Sequence, residues 1–127
     1  MQAPQHERHE YTDRGKWMDG WETRRKRVPG HDYCLIKLGI PGTITGVDID
    51  TNHFLGNNPA YASLEACVAD AGATSKLLTS NDIQWVTILA KSPLKPGAQN
   101  IFSISDGRRW THARLNIFPD GGVARLR

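Results

Sequence analysis

Residues 110–118 have the sequence WTHARLNIF, the most regular strand pattern in the chain. Side chains alternate between the two faces of a β-strand, so the polar side chains of His112, Arg114 and Asn116 would share one face and an apolar row the other. Polar residues in a strand otherwise suited to a core can mark a site, or the solvent-facing side of an edge sheet. The apolar face requires a second layer to cover it.

Further short segments are typical of β-strands because they are rich in β-branched or aromatic residues and are bounded by Gly, Pro, Asn or Asp. They are residues 33–38, 43–51, 83–89, 99–104 and 123–127. We expect 123–127 to pair with 110–118 as a hairpin, 91–97 to interrupt the sheet, and 70–82 to be a loop. No helical periodicity of 3.6 residues is sustained, so the pattern predicts an all-β sandwich.

Bulk properties exclude several classes of protein. The chain has 127 residues, 39% of them hydrophobic and 23% charged, which is typical of one globular domain. No apolar run approaches the ~20 residues that span a bilayer, and the polar N-terminus is unlike a signal peptide, so we expect a cytoplasmic protein without membrane contact. Cys34 and Cys67 lack the spacing of a disulfide framework or zinc site and are predicted to be buried free thiols. Residues 1–12 are predicted to be a flexible leader.

The stretch WMDGWETRRKR, residues 17–27, combines two indoles, two carboxylates and four consecutive cations. Trp and Arg favour a recognition surface over a spacer. The alternative is a surface loop in which Trp17 and Trp21 anchor the segment to a core and the cations are solvated. The net charge of +3 is compatible with an anionic partner. We expect no nucleic-acid binding, since no nucleic-acid-binding motif is present.

Residues 43–51 place Asp48 and Asp50 on the same face of a strand, where they could repel each other or share a proton or a cation. Alternatively both face solvent, or Asp50 caps the turn that follows. His53 lies in the next loop, 52–59, and functional side chains often occur in such loops. Asp48, Asp50 and His53 could together hold a divalent cation such as manganese or zinc. No motif has the spacing of a committed metal site, so we predict no required cofactor.

Four stretches resemble one repeat of the allantoicase family: GKWMDGWETRRKR (15–27), HDYCLIKLGIPGTITGVDIDTNHFLGN (31–57), ASLEAC (62–67) and HARLNIFPDGGVARLR (112–127). The resemblance implies a jelly-roll sandwich similar to galactose-binding domains, and it favours a strand over a helix for 61–68. Enzymes of that family carry two repeats in a longer chain, and residues 1–12 do not resemble the usual start of the repeat. We therefore expect 13–127 to form a single repeat, incomplete relative to the family, that acts as a homo-oligomer or with a second repeat.

The resemblance also implies a reaction, the hydrolysis of allantoate to ureidoglycolate and urea in purine catabolism. Such a substrate needs a cation for its carboxylate, polar groups for its ureido groups and an acid for the departing nitrogen. We expect water attack or assisted expulsion of urea without a covalent enzyme intermediate. The alternative is a non-catalytic sandwich module that binds a small anion or a sugar.

Candidate residues follow from these needs. Arg24 and Arg25 could clamp the carboxylate, or pair structurally with Glu22 or Asp19. Glu22, beside these cations, suits a base or orienting role, and His53 an acid or base role. The predicted catalytic residues are Glu22, His53 and Asp50, and the predicted substrate-binding residues are Trp21, Arg24, Arg25, Glu65 and Arg114.

Overall fold

The computed structural model describes residues 21–23 and 30–127. The strands of this part are β1 (Trp21–Glu22), β2 (Asp32–Thr43), β3 (Gly46–Asp50), β4 (Tyr61–Cys67), β5 (Val86–Pro93), β6 (Gln99–Ser103), β7 (Arg109–Phe118), β8 (Gly122–Val123) and β9 (Arg125–Leu126), and the one helix is α1 (Ser75–Leu78). The predictions for the leader 1–12, for Trp17 and for Arg24 to Arg27 lie outside the described residues.

The strands form antiparallel sheets. The largest has the order β2-β7-β4-β5, a second has the order β6-β3-β9, and β1 pairs with β8. β7 is an inner strand, because Leu115 lies opposite Cys34 of β2 and opposite Leu64 of β4. The most regular strand pattern in the sequence therefore becomes a central strand of the largest sheet.

The core lies between the four-stranded and the three-stranded sheets. The inward side chains of β2, β4 and β7 pack against Val47 and Ile49 of β3, and Trp21 and Val123 join the same cluster. The side chains of Ile49, Leu115 and Ile117 have no measurable exposure. The alternation predicted for residues 110–118 and 43–51 is confirmed, as is the all-β sandwich.

Both cysteines are free and buried, as predicted. The described part of the chain has no helix with the length and apolar character needed to cross a bilayer.

Three local predictions are wrong. β5 continues to Pro93, which lies opposite Tyr61, although residues 91–97 were expected to interrupt the sheet. Proline fits there because β5 is an edge strand, where one row of backbone N–H groups needs no partner. The segment after the turn 119–122 does not pair with β7, since β7 is already flanked by β2 and β4. Residues 75–78 form a helix within the predicted loop, and the side chain of Thr74 caps it by accepting from Leu77 N.

Candidate functional site

The outer face of the four-stranded sheet, which points away from the core, carries the polar side chains of β7. Arg114 lies opposite Glu65 of β4, and Asn116 lies opposite Ser63. Because alternate side chains of a strand share a face, these four residues form two neighbouring rows. The register of the sheet thus brings together side chains 49 positions apart in the sequence.

Glu65 connects the two rows. Arg114 Nε donates to Glu65 Oε1 over 2.8 Å, and Asn116 Nδ2 donates to the same oxygen over 2.8 Å. Asn116 Nδ2 also donates to Ser63 Oγ over 3.1 Å. One carboxylate oxygen therefore fixes both an arginine and an asparagine.

The environment of Glu65 determines its charge. Burial raises the pKa of this carboxyl, but the hydrogen bonds from Arg114 and Asn116 and the positive charge of Arg114 outweigh burial, so the pKa lies below its usual value. Glu65 is consequently ionised at neutral pH and can only accept hydrogen bonds. It suits a base or orienting role better than an acid role.

Aromatic rings flank the guanidinium of Arg114. Its Cζ atom lies 4.5 Å from the centroid of the Trp85 ring and 5.8 Å from that of Tyr33. The indole is held in turn by a hydrogen bond of 2.9 Å from its Nε1 to Leu78 O. These contacts restrict the guanidinium plane, while its Nη groups make no hydrogen bond to any residue that the structure describes.

The side chains of Glu65, Arg114 and Asn116 line a cleft of about 460 Å³, a size typical of small-molecule sites. His31 and Phe118 also line it, with ring centroids 4.6 Å apart. His31 Nε2 lies 3.2 Å from Asn116 Oδ1. We call this the outer-face cleft, and its lining consists of His31, Tyr33, Ser63, Glu65, Thr87, Arg114, Asn116 and Phe118.

The acidic pair of Asp48 and Asp50 shares a guanidinium. Arg127 Nη1 lies 3.0 Å from Asp48 Oδ2 and 3.3 Å from Asp50 Oδ2. Asp50 Oδ1 also accepts a hydrogen bond from Asn52 N over 2.8 Å. Asp50 therefore caps the turn that follows the strand, which was one of the alternatives considered from the sequence. Among the described residues, no three His, Cys, Asp or Glu side chains form a group suited to a metal ion.

His53 is exposed and has a φ of 73°, a conformation that is uncommon for a residue with a side chain. The adjacent Phe54 ring packs directly against Gly122, whose register partner is Glu22 of β1. The backbone of Glu22 and the loop that carries His53 therefore lie at the same end of the sandwich. Arg24 and Arg25, which were predicted to clamp the substrate carboxylate, lie outside the described residues.

Trp21 is 3% exposed and belongs to the core cluster. This position matches the anchoring alternative for the Trp/Arg stretch. The Nε1 group of the indole is buried and has no hydrogen-bond partner in the part of the chain that the structure describes.

The predicted site residues thus fall into two groups. Glu65 and Arg114 lie on the outer face of the four-stranded sheet, whereas Asp50 points away from the core on the three-stranded sheet. Within one chain, the core separates the two groups, because the side chains of Val47 and Leu115 lie between them.

Several residues of the outer-face cleft were not singled out from the sequence. Asn116 was noted only as part of a polar face, and Ser63 shares the alternation of Glu65. His31 and Thr87 carried no signal, since they approach Asn116 and Glu65 only through the strand register.

Comparison with known proteins identifies the family. The family model described as the allantoicase repeat matches residues 1–127. The match includes residues 1–12, which the sequence resemblance left out. A probable allantoicase of Acinetobacter baylyi is 52% identical over 127 residues, which is 100% of this chain and 36% of that protein.

Solved structures agree in fold. The crystal structure of allantoicase from Saccharomyces cerevisiae has a TM-score of 0.71 and 35% identity, over 85% of this chain and 30% of that chain. A Clostridium perfringens protein solved in complex with GalNAc-β-1,3-galactose has a TM-score of 0.62 at 15% identity, over 91% of this chain and 78% of that chain. The second likeness concerns the fold alone, and it agrees with the predicted jelly-roll sandwich of galactose-binding type.

The chain spans about 36% of the length of the Acinetobacter relative that it matches in full. The match to the family model covers every residue from 1 to 127. The chain therefore belongs to the allantoicase family.

Proposed function

We propose that this chain functions in the hydrolysis of allantoate to ureidoglycolate and urea, a reaction of purine degradation, and that the outer-face cleft binds the substrate. One observation carries the proposal: a guanidinium, a carboxylate, an amide and hydroxyl groups line a single cleft of about 460 Å³. Allantoate is a small carboxylate with two ureido groups, so it requires this combination of charged and amide-type partners.

Arg114 is the proposed anchor for the substrate carboxylate. Its Nε group is committed to Glu65, and the Trp85 ring lies against its guanidinium plane. The Nη groups, which have no partner among the residues that the structure describes, can make a bidentate contact with an anion, and such a contact both attracts and orients it. Glu65 holds this arginine in place and also acts as an acceptor for a ureido N–H group.

The catalytic roles predicted for Glu22, His53 and Asp50 and the substrate-binding roles predicted for Trp21, Arg24 and Arg25 stay part of the proposal. Of these residues, Asp50 lies across the core from the cleft. For Asp50 and the cleft residues to act on one substrate molecule, the cleft of one repeat must meet the three-stranded sheet of another. This is our reason for proposing a homo-oligomer, or assembly with a second repeat. Measurement of the native mass by light scattering tests it, and a particle of 14.2 kDa would contradict it. We also propose that the protein is cytoplasmic.

The direct test is urea release from allantoate by the purified full chain. We expect activity, and we expect a chelator to leave the rate unchanged. In the Arg114→Ala variant we expect KM to rise by roughly 10- to 100-fold, because a charged hydrogen-bonding partner of the substrate is lost.

Arg108→Ala is the matched control. Arg108 also pairs with a carboxylate, Asp106, at 2.6 Å and lies 4.9 Å from a tryptophan ring, but it does not line the cleft. It should leave KM unchanged. Saturable binding of allantoate without urea release would replace the proposal with the alternative, a non-catalytic module for small anions or sugars. If neither binding nor urea release is observed, the proposed function is wrong.

A further inference from the structure

The hydrogen bonds of Asn116 fix the tautomer of His31, a histidine that was not among the predicted site residues. Asn116 Nδ2 donates to Glu65 Oε1 and to Ser63 Oγ. An ionised carboxylate can only accept, so the NH2 group of the amide must face Glu65 and the amide oxygen must face His31. The contact of 3.2 Å between His31 Nε2 and Asn116 Oδ1 then requires a proton on Nε2.

The other ring nitrogen of His31, Nδ1, is the atom that we expect a ligand to contact. His31 is exposed, and within the residues that the structure describes its Nδ1 atom makes no hydrogen bond. Phe118 packs against the imidazole, with ring centroids 4.6 Å apart. The ring is therefore oriented through Nε2 and lines the outer-face cleft, and its Nδ1 has no partner among the described residues.

We propose that His31 is the proton-transfer residue of the outer-face cleft, with Asn116 and Glu65 as positioning residues that hold its Nε2–H tautomer. This inference rests on the proposed function and adds a residue that was not among the predicted catalytic residues. An imidazole suits the role because it donates and accepts protons near neutral pH.

His31 alone can supply the proton that the departing nitrogen needs and recover a proton from water. The imidazolium Nδ1–H group of His31 protonates the departing ureido nitrogen, the bond between this nitrogen and the central carbon breaks, and the nitrogen keeps its electron pair. The lone pair of the remaining ureido nitrogen forms a C=N bond to the central carbon. Water then adds to this carbon and gives its proton to Nδ1. One water is consumed, one urea leaves, and His31 returns to its starting form.

The tautomer can be measured without turnover. We expect ¹⁵N NMR of the neutral imidazole to show that Nε2 of His31 carries the proton and Nδ1 does not. In Asn116→Ala, we expect the two tautomers to approach their populations in an unrestrained histidine. A proton on Nδ1 in the unsubstituted chain overturns the inference, whether or not the chain releases urea.

Turnover gives the second readout. His31→Gln keeps an N–H donor for Asn116 Oδ1 but cannot transfer a proton, so kcat should fall by about 100-fold or more while KM changes by less than about 3-fold. Added imidazole should partly restore kcat in His31→Ala. If His31→Gln keeps a third or more of kcat, the inference is wrong although the proposed function holds. If the unsubstituted chain releases no urea, the proposed function fails, and the NMR result alone decides the tautomer assignment.

Discussion

At the scale of single residues, Glu65 positions the polar side chains of the outer face, because one of its oxygens accepts hydrogen bonds from both Arg114 and Asn116. Its side chain is 20% exposed, so the two donors have little access to water when this acceptor is removed. Loss of a charged acceptor under such conditions costs more than loss of an exposed ion pair.

Glu65→Gln should lower the free energy of unfolding by roughly 1–3 kcal/mol at neutral pH. Because the folded-state pKa of Glu65 lies below the usual value of 4.5, the contribution of the carboxylate is complete above this value and is lost as pH falls through the folded-state pKa. The difference in thermal stability between the two proteins should therefore shrink in acid. If the stability difference between the unsubstituted protein and Glu65→Gln stays constant as the pH falls below 4.5, this account is wrong.

Cys67 should be chemically inert in the folded protein. Burial raises the pKa of its thiol to about 11, so the reactive thiolate is scarce at neutral pH. Iodoacetamide labelling followed by mass spectrometry should modify Cys67 slowly in the native protein and rapidly in denaturant. Rapid native labelling would show that the thiol is accessible and ionised.

At the scale of elements, the turn before β8 holds β1 in place. Thr23 N donates to Gly121 O over 3.1 Å, and Gly122 N donates to Asn57 O over 2.7 Å. The turn thus joins β1 to the loop that follows β3. Gly121 has a φ of +135°, and a Cβ atom at this position would lie 2.6 Å from Pro59 N.

Gly121→Ala should destabilise the protein by at least about 2 kcal/mol, since it combines a disfavoured φ with a clash against backbone atoms. Gly107→Ala is the control, because a Cβ there meets nothing within 4 Å. The control should change stability by less than about 0.5 kcal/mol. Equal effects of the two substitutions in chemical denaturation would contradict the assignment of the turn.

The elements also show which features of the fold a sequence pattern can predict. Alternation correctly assigned the two faces of residues 110–118, because it depends only on local strand geometry. It failed for the pairing of residues 123–127, since pairing depends on which sheet edges are free. Pro93 was misjudged for the same reason: its compatibility with β5 depends on that strand lying at an edge.

At the scale of the whole molecule, the two sheets are joined through one apolar layer. Leu115 is fully buried in this layer, at the centre of the four-stranded sheet. The side chains of Glu65 and Asp50 face opposite sides of the layer, so its integrity also sets the distance between the two groups of candidate residues.

Leu115→Ala should lower the free energy of unfolding by about 2–5 kcal/mol, because it leaves a cavity in this layer. Ile40→Ala removes similar side-chain atoms from a residue that is 82% exposed, and it should cost less than about 0.5 kcal/mol. Guanidinium denaturation followed by both fluorescence and circular dichroism provides the comparison. A cost below 1 kcal/mol for Leu115→Ala would show that the layer is not the cooperative core.

The sequence by itself determined the all-β sandwich, the burial of both cysteines, the family and the two faces of β7, because periodicity and long family motifs are local properties of the chain. Only the tertiary structure decided that Arg114, Glu65 and Asn116 meet His31 in one cleft, and that Asp50 lies on the other side of the core. The physical reason is that strand register, sheet order and available edges depend on packing between distant segments. Neighbours within a segment cannot specify them.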